Sequence, residues 1–111
     1  MDPIKIAQTL ATQLREDEEC DLVICLSHLG YSYKGETIGD RKLAASVSDI
    51  DIIIGGHSHT FLEEPVWLKN PKGEPVMINQ VGWAGLVLGR IDIEFERNKK
   101  GVCVQCKNMP M

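Results

Sequence analysis

Apolar residues open the chain at helical spacing. Ile6, Ala7, Leu10, Ala11 and Leu14 fall three and four apart and make one stripe. Asp2-Pro3 stands just ahead of it, Asp being a capping residue and Pro suiting the first helical position. A helix is therefore predicted from residue 3 to about residue 18. The pattern then changes to a short unbroken apolar run, Asp21-Leu-Val-Ile-Cys-Leu26, which predicts a strand buried on both faces. A polar, glycine-bearing loop follows from Gly30 to Gly39. Asp40 can cap a second helix running through Val47, with Leu43, Ala44 and Val47 on one face. Ile50-Asp-Ile-Ile-Ile54 reads as another buried strand.

After residue 60 the pattern is one of hairpins. Pro65-Val-Trp-Leu68 and Pro75-Val-Met-Ile78 flank a turn-rich Lys69-Asn-Pro-Lys-Gly-Glu74. Leu86 to Phe95 predicts a longer strand, with Ile91, Ile93 and Phe95 alternating against Asp92 and Glu94. Asn98-Lys-Lys-Gly101 predicts a turn, and Val102 to Cys106 a returning strand. The order helix, strand, helix, strand, then antiparallel strands, predicts an α/β fold with a parallel pair. The expected organisation is one domain-level unit over 1–111, with an α/β part at 1–60 and antiparallel strands at 61–111.

Composition narrows the function classes. The chain has 111 residues, 43% hydrophobic and 25% charged, an ordinary globular balance. The net charge of −4, with no massed Lys or Arg, argues against nucleic acid as a partner. The run Arg15-Glu-Asp-Glu-Glu19 reads as a solvated helix end. No apolar stretch approaches the roughly 18 residues of a membrane span. Met1-Asp2-Pro3 leads directly into the helical segment, so no signal peptide is expected within these residues. Of the four cysteines, Cys25 lies in an apolar run and reads as a core residue. Cys103 and Cys106 have the spacing of a redox pair or half a zinc site. On a regular strand, however, positions three apart face opposite sides, which favours a plain strand.

The candidate chemistry lies in three histidines. His28 follows the first buried strand in Ser27-His28-Leu29-Gly30. His57 and His59 follow the second in Gly55-Gly56-His57-Ser58-His59-Thr60. Ligands of open α/β sheets bind where the carboxyl ends of the strands emerge, so all three imidazoles are expected on one rim. Neutral imidazole is a good ligand for borderline metals. Gly55 and Gly56 let the loop turn back toward the strand ends. Ser27 and Ser58 support those loops, and Ser58 and Thr60 are expected to make local hydrogen bonds rather than act as nucleophiles, because no other histidine is present to activate them. On the residues alone, three idle histidines in a structural module remain the competing reading. An amidohydrolase barrel that uses His-x-His would need eight βα units, more than 111 residues provide.

Those blocks, with Gly39-Asp40-Arg-Lys-Leu-Ala, Ile78-Asn-Gln-Val-Gly82 and Leu88-Gly-Arg-Ile-Asp-Ile, resemble the 5'-nucleotidase branch of the calcineurin-like metallophosphoesterases from about residue 2 to 104. The resemblance implies the C-terminal half of a layered αββα sandwich. It implies a site of two divalent ions, such as Zn, Mn or Mg, that clamps a nucleotide or other phosphate ester for in-line attack by a metal-bound water. By position it makes His28 and His57 ligands of one ion and His59 a ligand of the other. It implies a periplasmic, secreted or cell-surface setting.

The departures are equally specific. The family's Asp-x-His, its bridging Gly-Asp-x-x-Asp and its Gly-Asn-His motif with the catalytic histidine are not in this sequence, and Gly39-Asp40 is followed by Arg-Lys-Leu. No catalytic residue is therefore expected in this chain. At most one ion is expected, because nothing present would hold two cations about 3.5–4 Å apart. Little or no nucleotidase activity is expected from the chain alone. Exposed strand edges and apolar faces are expected to promote self-association. The alternative function is a non-catalytic α/β module that completes a metal site with another chain.

Overall fold

The computed structural model describes residues 2–95 and 102–111, without the side chains of 102–104. Helix α1 spans Pro3–Thr12, and Asp2 caps it by accepting hydrogen bonds from the Ile4 and Lys5 amides at 3.0 and 3.3 Å. The helix then widens into a π-helical turn, Gln13–Asp17, closed by Glu18 N–H donating to Gln13 O at 3.1 Å. This turn aims Arg15 inward. Its guanidinium meets Asp51 Oδ2 at 2.5 Å and also donates to the Cys20 and Asp49 carbonyls. Asp51 Oδ2 accepts from the Val23 amide as well. One ion pair thus fastens the end of the helix to the starts of the first two strands.

The strands are β1 (Ile24–Leu26), β2 (Ile52–Ile54), β3 (Val66–Lys69) and β4 (Pro75–Asn79), with α2 (Asp40–Ser46) between β1 and β2. They form one sheet in the order β1-β2-β4-β3. β2 runs parallel to both β1 and β4, and β3 lies antiparallel to β4. The change of pattern near residue 60 is therefore not a change of sheet. Asn70 makes the β3–β4 turn, its Oδ1 accepting from the Lys72 and Glu74 amides at 2.9 and 3.0 Å.

The registers Cys25–Ile53–Ile78 and Leu68–Val76 define one face of this sheet. Ala11 of α1 and Leu43, Ala44 and Val47 of the α2 segment cluster with Ile53, Val76 and Ile78 there to make the core. The opposite face carries Ile52 and Met77, both buried, with Ile24, Leu26 and Ile54 beside them. Ile24, Leu26 and Ile54 are 45%, 80% and 40% exposed. This corrects the expectation that the first strand is buried on both faces. β1 is an edge strand, and nothing among the described residues covers its outer side. The α1 stripe shares this character: Ala11 is buried, whereas Ile6, Leu10 and Leu14 line an open groove of about 420 Å³ against β1.

Strands β5 (Val87–Glu94) and β6 (Val102–Pro110) make a separate antiparallel pair. It reaches the main sheet on the Met77 side, through Asn79 and Asn108. β6 runs four residues beyond the expected end at Cys106. The expected turn at 98–101 lies outside the described residues. Cys106 is disulfide-bonded, while Cys20 and Cys25 are free. The reading of an idle pair on a regular strand is therefore corrected for Cys106. The register supplies the reason: Cys103 lies opposite Ile93 and Cys106 opposite Ile91, with a bulge between them. The extra residue brings positions 103 and 106 to alternate, same-side places along β5. The side chain of Cys103 is outside the described residues.

Candidate functional site

The carboxyl ends of β1 and β2 are adjacent, because these strands pair in register at Leu26 and Ile54 and Ser27 N–H donates to Ile54 O at 2.9 Å. Chain direction alone therefore brings the Ser27–Gly30 and Gly55–Thr60 loops to one rim. There His57 Nδ1 lies 3.2 Å from His28 Nε2, the rings edge to face with centroids 4.9 Å apart. Both imidazoles are exposed. Gly56 lies beside the pair, where a Cβ would stand 3.4 Å from His28 Nδ1, an ordinary contact distance.

The loop is held in an unusual shape. His57 has φ +72° and His59 φ +53°, the left-handed region that residues with a Cβ seldom occupy. Such backbone persists where surrounding contacts over-determine it, and it clusters at functional loops. The contacts here are Ser58 and Gln80. Ser58 Oγ lies 2.7 Å from Thr60 Oγ1 and accepts from the Tyr31 amide at 3.0 Å. Gln80 Oε1 accepts from the Thr60 amide at 2.6 Å and from Ser58 Oγ at 3.2 Å. Ser58 and Thr60 are thus local hydrogen-bonders, as expected.

His59 does not join the other two histidines. Its ring lies parallel to that of Trp83, 8° between planes and 5.9 Å between centroids. Trp83 is 58% exposed on a bend flanked by Gly82 at φ +72° and Ala84 at φ +61°. Gly82 N–H donates to Thr60 O at 2.9 Å, which ties that bend to the histidine loop. The expected gathering of three imidazoles is therefore a pair plus one apart. Among the described residues, no group of three His, Cys, Asp or Glu side chains could hold a metal ion.

The pair does suit half of a coordination shell. Two nitrogens each about 2.0–2.1 Å from one Zn²⁺ at a tetrahedral angle stand roughly 3.3 Å apart, and the observed separation is 3.2 Å. The remaining donors of a four-coordinate ion are not supplied by these two loops.

Behind the rim lies Asp40. The expectation that it caps α2 is corrected: Gly39 occupies the capping position, and Asp40 is the first helical residue, fully buried. Ser27 Oγ donates to Asp40 Oδ1 at 2.6 Å. Burial raises the Asp40 carboxyl above its usual range, while the Ser27 hydroxyl pulls it down. Cys25 is raised too, first by burial and then by the negative charge of Asp40. Sequence reasoning missed Gln80 and Trp83. The signal for Gln80 was present: Asn79-Gln80 continues a buried apolar strand, and buried amides need partners. Trp83 carried no such signal.

No protein-family model matches the chain. Curated relatives do. A trifunctional nucleotide phosphoesterase protein, YfkN, of Bacillus subtilis is 35% identical over 101 residues, 91% of this chain and 6% of that protein. An apyrase of Tabanus yao is 34% identical over 113 residues, 88% of this chain and 19% of that protein. Among solved structures, a 5'-nucleotidase precursor from Thermus thermophilus matches all of this chain and 23% of its own, with a TM-score of 0.85 at 28% identity. The chain thus spans less than a fifth of the length of these curated relatives.

Proposed function

We propose, from the premise that this chain belongs to the 5'-nucleotidase family, that it supplies histidine loops to the metal site of a nucleotide phosphoesterase. The observation that carries this reading is the 3.2 Å approach of His57 Nδ1 to His28 Nε2 at the carboxyl ends of paired parallel strands. In this reading His28 and His57 are two donors to one divalent ion. His59 is a donor to a second ion once its ring leaves Trp83. The other donors and the catalytic histidine come from the rest of a longer protein or from another chain. Bound divalent ions would polarise a phosphate ester and activate water. The residues here contribute ligand nitrogens and their orientation, with Ser27, Gly55, Gly56 and Ser58 shaping the loops. The substrate class in this reading is a nucleotide or another phosphate ester, and the setting is periplasmic, secreted or cell-surface. No helix of the described residues is long and apolar enough to cross a membrane.

The test is metal titration of the chelator-stripped chain with Zn²⁺ and Mn²⁺, alongside His28→Ala and His57→Ala. The reading expects one ion per chain, its affinity lowered at least tenfold in each variant. A folded wild-type chain that binds no ion, or variants that bind as wild type does, would remove it. Phosphate release from nucleotides by the chain alone at an ordinary enzymatic rate would show that the missing groups are not needed.

A further inference from the structure

Each histidine-bearing loop is held from below by one buried polar side chain, and the two side chains bear on the same residue. Asp40, fully buried, accepts from Ser27 Oγ at 2.6 Å. That oxygen in turn accepts from the Leu29 amide at 3.2 Å. The residues on both sides of His28 are therefore fixed to one hydroxyl, and that hydroxyl to Asp40. Gln80, 1% exposed, accepts from the Thr60 amide and from Ser58 Oγ. The residues on both sides of His59 are likewise fixed to one amide oxygen, and Ser58 also follows His57.

The unused ends of these two side chains face each other's neighbourhood. Asp40 Oδ2 and Gln80 Nε2 are both buried without a hydrogen-bond partner among the described residues. One accepts and the other donates, and both lie against Gly55. A Cβ on Gly55 would collide with Asp40 Oδ2 and stand 3.2 Å from Gln80 Nε2. Buried polar atoms without partners are costly. A fold that keeps two of them at one glycine, directly behind a loop with two residues at positive φ, has the mark of a positioning device rather than of a stabilising one.

We propose that Asp40 and Gln80 are positioning residues for the histidine pair: Asp40 sets the His28 loop through Ser27, Gln80 sets the His57–His59 loop through Ser58 and Thr60, and their common contact at Gly55 fixes one loop relative to the other. The inference deepens the metal-site reading and rests on it for its functional meaning. The geometry it asserts, however, is a property of the metal-free chain.

The test therefore needs no metal. In the isotope-labelled, metal-free chain, the His28 and His57 rings should give a ring-to-ring NMR cross peak. Ser27→Ala and Gln80→Met should lose it while keeping a dispersed, folded amide spectrum. Gln80→Glu, which retains the acceptor oxygen for Thr60 and Ser58, should keep it. Persistence of the cross peak in folded Ser27→Ala and Gln80→Met overturns the inference. So does its absence from wild type, or equal loss in the Glu and Met variants, which would mean that the acceptor oxygen of residue 80 is not what holds the loop. Should Gln80→Met fail to fold, Ser27→Ala still decides, because Ser27 is only partly buried. Failure here leaves the metal titration standing, and failure of that titration leaves this result standing.

Discussion

Asn79 and Asn108 bind each other twice: each donates its Nδ2 to the other's Oδ1 at 2.7 Å. Asn79 is 4% exposed at the end of β4, and Asn108 lies on β6. Asn108 Nδ2 also donates to Leu62 O at 2.7 Å. The pair is a polar clasp between the main sheet and the β5–β6 hairpin. Gly89 makes room for it, since a Cβ there would stand 2.8 Å from Asn79 Nδ2. Asn108→Ala would leave a buried amide without partners, at a cost of about 1–3 kcal/mol. Replacing both asparagines by leucine should cost less than the sum of the single replacements, because no orphaned amide remains. Urea unfolding of the single and double variants measures this, and strict additivity would contradict it.

Leu43 of α2 is 2% exposed and sits in the helix-side core with Ile53 and Val76. Leu43→Ala should destabilise the fold by about 2–5 kcal/mol, the transfer loss plus the cavity. A shift in urea midpoint with an unchanged slope is the expected signature. A loss under about 1 kcal/mol would mean the core collapses around the site more freely than its packing suggests.

The Asp40 carboxyl is raised above its ordinary value of 3.8, by burial first and against the pull of Ser27. A raised group favours the folded state in its protonated form. Its contribution is complete below the unfolded value and is lost as pH climbs through the folded one. Wild-type stability should therefore decline from 3.8 upward relative to Asp40→Asn, which cannot titrate. Unfolding free energies of both proteins from acid to neutral pH test this. Parallel curves would assign the slope to other groups.

Among the described residues, Ile24, Leu26 and Ile54 form an uncovered apolar face beside the unpaired edge of β1. Faces of this kind associate in water. The chain alone should show concentration-dependent scattering, and Leu26→Lys, at a site 80% exposed, should reduce it without lowering stability by more than about 0.5 kcal/mol. A wild-type chain that stays monomeric throughout would refute this.

Much of the architecture was legible in residue patterns. The capped first helix, the apolar strand runs and the Asn70-Pro71-Lys72-Gly73 turn are local signals, and each matches an element of the structure. What patterns could not convey was adjacency. Nothing local says that β4 inserts beside β2, or that a bulge resets the register near Cys103. The same limit shaped the site. His28 and His57 meet because strand direction compels it, and that was readable. His59 turns to Trp83, and Asp40 and Gln80 pack behind Gly55, through contacts between residues far apart in the chain. The expected double burial of β1 failed for a related reason: an apolar run reports what a segment can be buried against, not what covers it.

The sheet order also dictates a sequence of assembly. β2 borders β4 in parallel, so that pairing cannot zip up from a turn, whereas β3 and β4 can close locally around Asn70. The hairpin should form first and dock as a unit, and only then does β2 acquire a neighbour on its second side. Pulse-labelled hydrogen exchange should accordingly protect Val66–Lys69 and Pro75–Asn79 before Ile52–Ile54. On a ribosome, the loop bearing His57 and His59 would emerge well before the strand that steadies it. The site's geometry is then a late event in the life of the chain, fixed only when Gln80 arrives with the end of β4.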